Sequence, residues 1–358
     1  MPNSSFKING KEVGNSCQTY FIADLAANHD GSLQRAKDLI FLAAEAGADA
    51  AKFQHFSAKT IVSDVGFRGL PNLNTHQSAW TKSVYQVYDD ASLNLEWTSE
   101  LKRTCDEAKI AFFTSPYSFE LVDFVDQYVP AYKIGSGDIT WTEIIRYIAG
   151  KDKPYFIATG ASTMEDVERA VNAGIKINPN ICLMQCNTNY TGSVDNFKHI
   201  QLAVLNRYRE RYPNLILGLS DHTPGHATVL GAVALGARAI EKHFTDNKLR
   251  IGPDHSFSMD KYDWRQMVDR SRELELALGA NLKKIEENEY ETSIIQRRSI
   301  RAGKFLKAGS TISRKDLEVL RPCPADGIQP FNIDELIGKK LLVDIQEGMH
   351  IQWSNILR

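Results

Sequence analysis

Short apolar runs recur along the chain, separated by stretches whose apolar residues fall at helical spacing. Eight such runs stand at 20–25, 50–53, 110–114, 131–134, 155–159, 181–185, 215–219 and 239–244. The stretch after the first run places Leu33, Ala36, Leu39, Ile40 and Ala43 on one helical face. The stretch after the fifth starts at Ala161-Ser162-Thr163, a polar lead that can cap a helix. Strands alternating with helices imply parallel pairing through crossovers, so the class is α/β. Eight units match a closed (β/α)8 TIM barrel better than an open doubly wound sheet, and the usual length of about 250 residues ends such a barrel near Leu278 to Gly279.

Two stretches break the rhythm. Between the second and third runs, residues 57–97 carry Trp80, Tyr85, Tyr88 and Trp97 among Lys82, Asp89 and Asp90. A connection that long is expected to enclose substrate or contact a subunit, or else to be an inserted helix packing its aromatics. From 281 to 297 the chain becomes a charged linker, with Lys283, Lys284, Glu286, Glu287, Glu289 and Glu291. Residues 1–280 are therefore read as the barrel domain and 298–358 as a small second domain. That domain shows strand-like pieces at 299–302 and 341–344 between frequent Gly and Pro. About sixty residues make a marginal core, so it should pack on a barrel, its own or a partner's.

A net charge of −2 gives no basic field for nucleic acid, and a bound anion must be held locally. Cys17, Cys105, Cys182, Cys186 and Cys323 are odd in number and lack paired metal spacing, which favours reduced thiols in a cytoplasmic setting. Cys182 and Cys186, lying in a strand pattern, read as buried structural thiols. No run approaches about 18 apolar residues and the first eleven residues are polar, so neither membrane span nor secretion is expected.

In such a barrel the working side chains sit at the C-terminal strand ends. Those ends are unusually polar: Asp24, Asn28 and His29; Lys52 and Gln54; Thr114 and Ser115; Lys133, Ser136 and Asp138; Thr159; Gln185, Asn187 and Tyr190; Ser220, Asp221 and His222; Glu241 and His243. His222 and His243, on adjacent strands, can converge on one metal through neutral imidazoles, or each can be a hydrogen-bonded core or substrate contact. With no cysteine placed to help, a metal there is expected to be Mn²⁺ or Mg²⁺ completed by oxygen ligands. Lys52 and Lys133 lie inside barrel strands, where a buried ammonium needs an anion. A phosphorylated carboxylate would satisfy both, with the hydroxyls of Ser115, Ser136 and Ser220 and the amides of Thr159, Gly160 and Ala161 donating the remaining bonds. Pairing with Asp24, Asp138 or Glu241 is the plain alternative, and a Schiff base is a third.

These residues fall within longer motifs: 24–31 (Asp24 to Gly31), 47–54 (Gly47 to Gln54), 132–138 (Tyr132 to Asp138), 218–223 (Gly218 to Thr223), 241–246 (Glu241 to Asp246) and Gly252-Pro253-Asp254. In this order the chain resembles the sialic acid synthases, which make N-acetylneuraminate and related nonulosonates. Its end, with Arg321-Pro322 and Ile337-Gly338-Lys339-Lys340, is similar to their antifreeze-like (SAF) domain. The resemblance covers nearly the whole chain. It implies a divalent metal on His222 and His243, and phosphoenolpyruvate on Lys52, Ser115, Lys133, Ser136 and Ser220. It also implies an acylamino-hexose met by Gln54, Tyr190 and Asp254, and a domain-swapped homodimer whose second subunit supplies Arg321 to the acylamino group.

The expected reaction joins C3 of phosphoenolpyruvate to the open-chain aldehyde of the sugar, with phosphate leaving by C–O cleavage. Asp24 and Asp138 are the candidates for sugar orientation and proton transfer. Three positions depart from the family, which usually has glutamate at Asp24 and Asp138 and serine at Ala158. Each aspartate draws its charge back by roughly 1.5 Å, which points to a larger or differently hydroxylated acceptor. A hydroxyl lost at Ala158 costs about 1 kcal/mol if Thr159 or water compensates. A related deoxy-sugar-acid synthase or aldolase would use much the same barrel. A carbohydrate- or ice-binding module on a degenerate barrel would have no reason to keep Lys52, Lys133, His222 and His243 together.

Overall fold

The computed structural model describes residues 4–70, 77 and 80–357. The polar first residues hide a hairpin, β1 (Ser5–Ile8) and β2 (Lys11–Gly14), joined by Asn9-Gly10. Both turn residues have positive φ, 47° and 80°, as a two-residue hairpin turn of this hand requires. Phe6, Ile8 and Val13 alternate onto the face that is buried.

Eight parallel strands follow: β3 (Tyr20–Asp24), β4 (Ala50–His55), β5 (Ala111–Pro116), β6 (Tyr132–Ile134), β7 (Tyr155–Ala158), β8 (Ile181–Cys186), β9 (Ile216–Asp221) and β10 (Ala239–His243). They close into the barrel that the eight apolar runs predict, with β10 pairing β3 as well as β9. Strands buried on both faces read as continuous apolar runs, which is why they stood out in the sequence. Outward residues such as Phe21, Phe53, Tyr132, Ile157 and Leu183 join one core with the surrounding helices. Inward residues of the lower strands, including Tyr20, Phe113, Phe156 and Met184, pack with Phe6, Ile8 and Val13 of the hairpin. Gly218 faces this crowded interior: a Cβ there would come 2.8 Å from the Ala239 carbonyl and 3.0 Å from Met184.

The helices start where the caps predict. Ser32 caps Leu33–Glu45, whose Ala36, Leu39, Ile40 and Ala43 are buried, and Thr163 forms a capping box with Asp166 ahead of Met164–Gly174. Fully burying each Leu or Ile side chain contributes about 1.5–3 kcal/mol. The long interruption after β4 contains short helices, Ala58–Ile61, Asp64–Arg68 and Val84–Ala91. Its residues 71–76, 78 and 79 lie outside the described residues. No described helix is long and apolar enough to cross a membrane.

The chain divides into two compact units, Met1–Gly279 and Ala280–Arg358. In the second, the charged stretch holds a short helix, Tyr290–Ile295, before the antiparallel strands β11 (Ser299–Ala302) and β12 (Leu317–Leu320). Residues 341–344, expected as strand, make isolated bridging contacts through Leu341 instead. Ile300, Leu306, Ile312, Leu317, Ile328, Leu336, Leu341, Ile345 and Ile351 give this unit a core of its own.

Candidate active site

Side chains alternate between the two faces of a strand, so each barrel strand has an inward phase. Along that phase the chemistry changes with height. On β3 it runs Tyr20, Ile22, Asp24; on β4 Ala50, Lys52, Gln54; on β5 Ala111, Phe113, Ser115; on β10 Ala239, Glu241, His243. The lower members form the apolar plug. The upper members, with Lys133, Ser136, Cys186, Ser220 and His222, line a small recess of about 40 Å³ at the C-terminal mouth. Gln54, Tyr117, Ser136, Tyr190 and His243 also line a wider outer chamber of about 400 Å³, which includes Asp138 and Asp254.

Both lysines are buried and ion-paired. Lys52 Nζ lies 2.6 Å from Asp24 Oδ2 and 3.9 Å from Glu241 Oε1, and Lys133 Nζ lies 2.8 Å from Glu241 Oε1. Burial lowers the Lys52 pKa, but Asp24 and Glu241 outweigh it and hold the group above its ordinary value, as ammonium rather than as the amine a Schiff base needs. Asp138 pairs with neither lysine. It sits half-buried in the outer chamber, where burial pushes its carboxyl up to about 6. Asp254 is pushed up to about 6 by burial, against the hydrogen bond from the Ala27 amide, with Asp24 adding to the rise.

The hydroxyls differ in what they have left to give. Ser220 donates to Glu241 Oε1 at 3.1 Å. Ser136 Oγ accepts from the Gly160 amide at 2.9 Å, and its side chain is also hydrogen-bonded to Cys186. Ser115 Oγ, Glu241 Oε2 and His243 Nδ1 are buried without partners. Gln54 donates to Asp24 Oδ2 at 3.3 Å.

His222 and His243 come together, with ring centroids 5.4 Å apart, and Tyr190 lies 4.4 Å from the first ring and 6.2 Å from the second. His222 Nδ1 is 3.0 Å from the Asn187 carbonyl, which fixes the ring, and its side chain is also hydrogen-bonded to Cys186; burial lowers its pKa, but these contacts outweigh it and hold the group above its ordinary value. Burial and the neighbouring His222, Lys52 and Lys133 keep His243 neutral. This donor set fits a divalent ion: two imidazoles, one with an orphaned buried nitrogen, beside the orphaned Glu241 oxygen. Among the described residues no group of three or more His, Cys, Asp or Glu is arranged around one point, so the rest of a coordination shell would come from solvent or substrate.

Three expectations need correction. Thr159 follows the outward phase of Tyr155 and Ile157; its N–H and O–H both go to the Met184 carbonyl, at 3.1 and 3.0 Å, and Tyr208 donates to its Oγ1. It has no donor left for a phosphate in the recess. Cys186 is buried as expected, but a cysteine does stand beside the histidines: it follows the inward phase, lines the recess with both rings and is hydrogen-bonded to His222. His255, which no motif singles out, is fully buried, bonded to Thr245 Oγ1 and Asp30 Oδ1 at 2.8 Å each, and so ties down the loop bearing Asp254. Thr114, at a strand end, faces outward and bonds His55 at 2.6 Å. Arg321 is exposed and belongs to the second unit. Glu241, which holds both lysines, and Tyr117, which lines both chambers, also belong to the site.

Comparison with known proteins agrees with this picture. Residues 39–283 match the NeuB family and residues 297–357 match the SAF domain. The chain is 33% identical to the N,N'-diacetyllegionaminic acid synthase of Legionella pneumophila, over 99% of each chain. It is 31% identical to the human N-acetylneuraminate-9-phosphate synthase, over 94% of this chain and 92% of that one. The solved structure of a spore coat polysaccharide biosynthesis protein from Bacillus subtilis superposes with a TM-score of 0.65 at 29% identity, over 99% of each chain. A closed barrel with its charged recess at the C-terminal mouth, a family match across most of that barrel and a domain match behind it place this chain in the NeuB family, with an SAF domain at its C-terminal end.

Proposed function

We propose that the protein condenses phosphoenolpyruvate with an N-acylated hexose, N-acetylmannosamine or a diacetamido-deoxyhexose, to give a sialic-acid-type nonulosonate and phosphate. The observation that carries this reading is the recess itself, where two ammonium groups, two carboxylates and two imidazoles meet in one inward layer. In that layer the ammonium charges of Lys52 and Lys133 are matched by the carboxylates of Asp24 and Glu241. A phosphorylated carboxylate adds negative charge, so its binding calls for a cation as well as the lysines. His222 and His243 would hold that cation, Mn²⁺ or Mg²⁺, which when bound supplies Lewis-acid polarisation of the acceptor's aldehyde oxygen.

Lys52 and Lys133 hold the phosphate and carboxylate of phosphoenolpyruvate, helped by the hydroxyls of Ser115, Ser136 and Ser220. The lysines are shared with Asp24 and Glu241, so ligand binding must loosen those pairs. Asp24, 3.5 Å from His243 Nε2, then faces the reacting carbons with proton-accepting capacity. C3 of phosphoenolpyruvate bonds to the aldehyde carbon, water adds at C2, and the C2–O bond breaks as phosphate leaves. Gln54, Tyr190 and Asp254 orient the sugar, while Asp138 receives or returns a proton at its hydroxyls. The reading includes a domain-swapped homodimer in which Arg321 on the second subunit's SAF domain meets the acylamino group. It also places the protein in the cytoplasm, where its five free cysteines stay reduced.

Phosphate release from phosphoenolpyruvate, measured with Mn²⁺ and a panel of acylamino-hexoses, tests the reading. His222→Ala should abolish metal-dependent release, and unchanged turnover would overturn it.

A further inference from the structure

Between the recess and the outer chamber lies a neck, made by the residues that line both: Gln54, Tyr117, Gly135, Ser136, Tyr190 and His243. The reaction proposed above gives work to every side chain of that neck except Tyr117. Its place is set by the strand below it. Tyr117 continues the inward phase Ala111, Phe113, Ser115 of β5, so it stands one step, roughly 6.5 Å, above Ser115. Its backbone is held from both sides: its N–H donates to the His55 carbonyl at 3.0 Å, and the next residue, Ser118, caps the helix Phe119–Asp126. The Phe56 ring packs edge-on against the Tyr117 ring, with centroids 6.0 Å apart. Gly135 leaves room for the phenol end, since a Cβ there would stand 3.3 Å from Tyr117 Oη. Among the described residues no hydrogen bond ties up that hydroxyl, which borders both cavities.

Burial, with Asp138, Tyr190 and Asp24 adding to it, pushes the Tyr117 pKa well up, so the phenol keeps its proton and serves as a donor. What meets a donor at that height follows from the reaction. The aldehyde carbon of the acceptor enters the recess, where phosphoenolpyruvate attacks it. The next carbon carries the acylamino group, which the reading gives to Arg321. The third carbon carries a hydroxyl both in N-acetylmannosamine and in a diacetamido-deoxyhexose acylated at C2 and C4. A hydroxyl drawn into the neck sheds its water and needs a donor and an acceptor in exchange. Tyr117 supplies the donor, and Asp138, in the chamber wall, can accept. We infer that Tyr117 is a further substrate-contacting residue of the condensation: its hydroxyl donates to the C3 hydroxyl of the acceptor and holds the aldehyde end in line with phosphoenolpyruvate. The inference rests on the synthase reading above and adds a residue to it.

The test is kcat/KM for phosphate release from phosphoenolpyruvate by the full-length enzyme with Mn²⁺. The parent acceptor is N-acetylmannosamine or a trideoxy diacetamido mannose, whichever turns over faster, and the probe is its analogue lacking the C3 hydroxyl. Tyr117→Phe keeps the ring against Phe56, so its unfolding midpoint should match that of the wild type. On the parent acceptor the variant should lose about five- to tenfold in kcat/KM, the worth of one neutral hydrogen bond, with the KM for phosphoenolpyruvate held within about twofold. On the C3-deoxy analogue, wild type and Tyr117→Phe should agree within about twofold, because the partner of the lost hydroxyl is already gone. Where the analogue reacts too slowly to measure, its inhibition constant against the parent acceptor gives the same comparison. A Tyr117→Phe enzyme as active as wild type on the parent sugar overturns the inference, and so does an equal loss on parent and analogue or a loss confined to the KM for phosphoenolpyruvate. Release with neither parent acceptor overturns the synthase reading itself, and this inference with it.

Discussion

Asp138 shows how environment, rather than residue type, sets what a side chain can do. Burial raises its carboxyl to about 6, so the fold favours the neutral form more than water does, though the group is still ionised at neutral pH. The sign follows: its contribution to stability is complete below the unfolded value of about 4 and is lost as pH rises through about 6. Carboxyl carbon shifts followed by NMR should give Asp138 a midpoint near 6, and a midpoint near 4 would refute this. As a proton acceptor Asp138 also predicts kcat/KM falling as pH drops through the same region. Thr159 carries the opposite expectation. With both its donors on the Met184 carbonyl, Thr159→Val should leave the KM for phosphoenolpyruvate within about twofold and cost about 1 kcal/mol in urea unfolding. A tenfold rise in KM would restore it to the site. The sequence held the sorting signal: inward and outward phases alternate, and Thr159 lies out of step with Ala158 just as Cys186 lies in step with Met184. Strand-end position alone cannot separate the two.

At the scale of elements, the strands were legible because both their faces are buried, and the hairpin was not because its strands are four residues long and half of each is exposed. Its Asn9-Gly10 turn was nonetheless in plain view. Between β9 and β10, register does work that no motif announces. Lys242 and Asp221 are paired across the strands, with Lys242 Nζ 2.5 Å from Asp221 Oδ2 and 2.6 Å from the Thr223 carbonyl, and Thr228 adds a bond to the same carboxylate. Both side chains are 1% exposed, and each residue is the chain neighbour of a site histidine. Lys242→Met would strand a buried carboxylate and should cost about 3–5 kcal/mol, while the double variant Asp221→Leu/Lys242→Met should regain much of that. Unfolding midpoints of the two variants decide it: equal stability would mean the pair does not hold these strands.

For the molecule as a whole, net charge and cysteine count narrowed the function without touching the site, whose charges are local and nearly balanced. What composition could not supply was which acids answer which lysines. That depends on β10 closing against β3, a contact between strands more than 200 residues apart that brings Glu241 to Lys52. The second unit has its own apolar core, so its fold does not depend on the catalytic residues. The central claim is that this barrel joins phosphoenolpyruvate to a sugar aldehyde with cleavage at carbon. Phosphoenolpyruvate labelled with ¹⁸O at the bridging oxygen tests it most directly, by mass spectrometry of both products. The account predicts that the label departs with phosphate and is absent from the new sugar acid; label retained in the sugar, or phosphate released with no sugar acid formed, would contradict it.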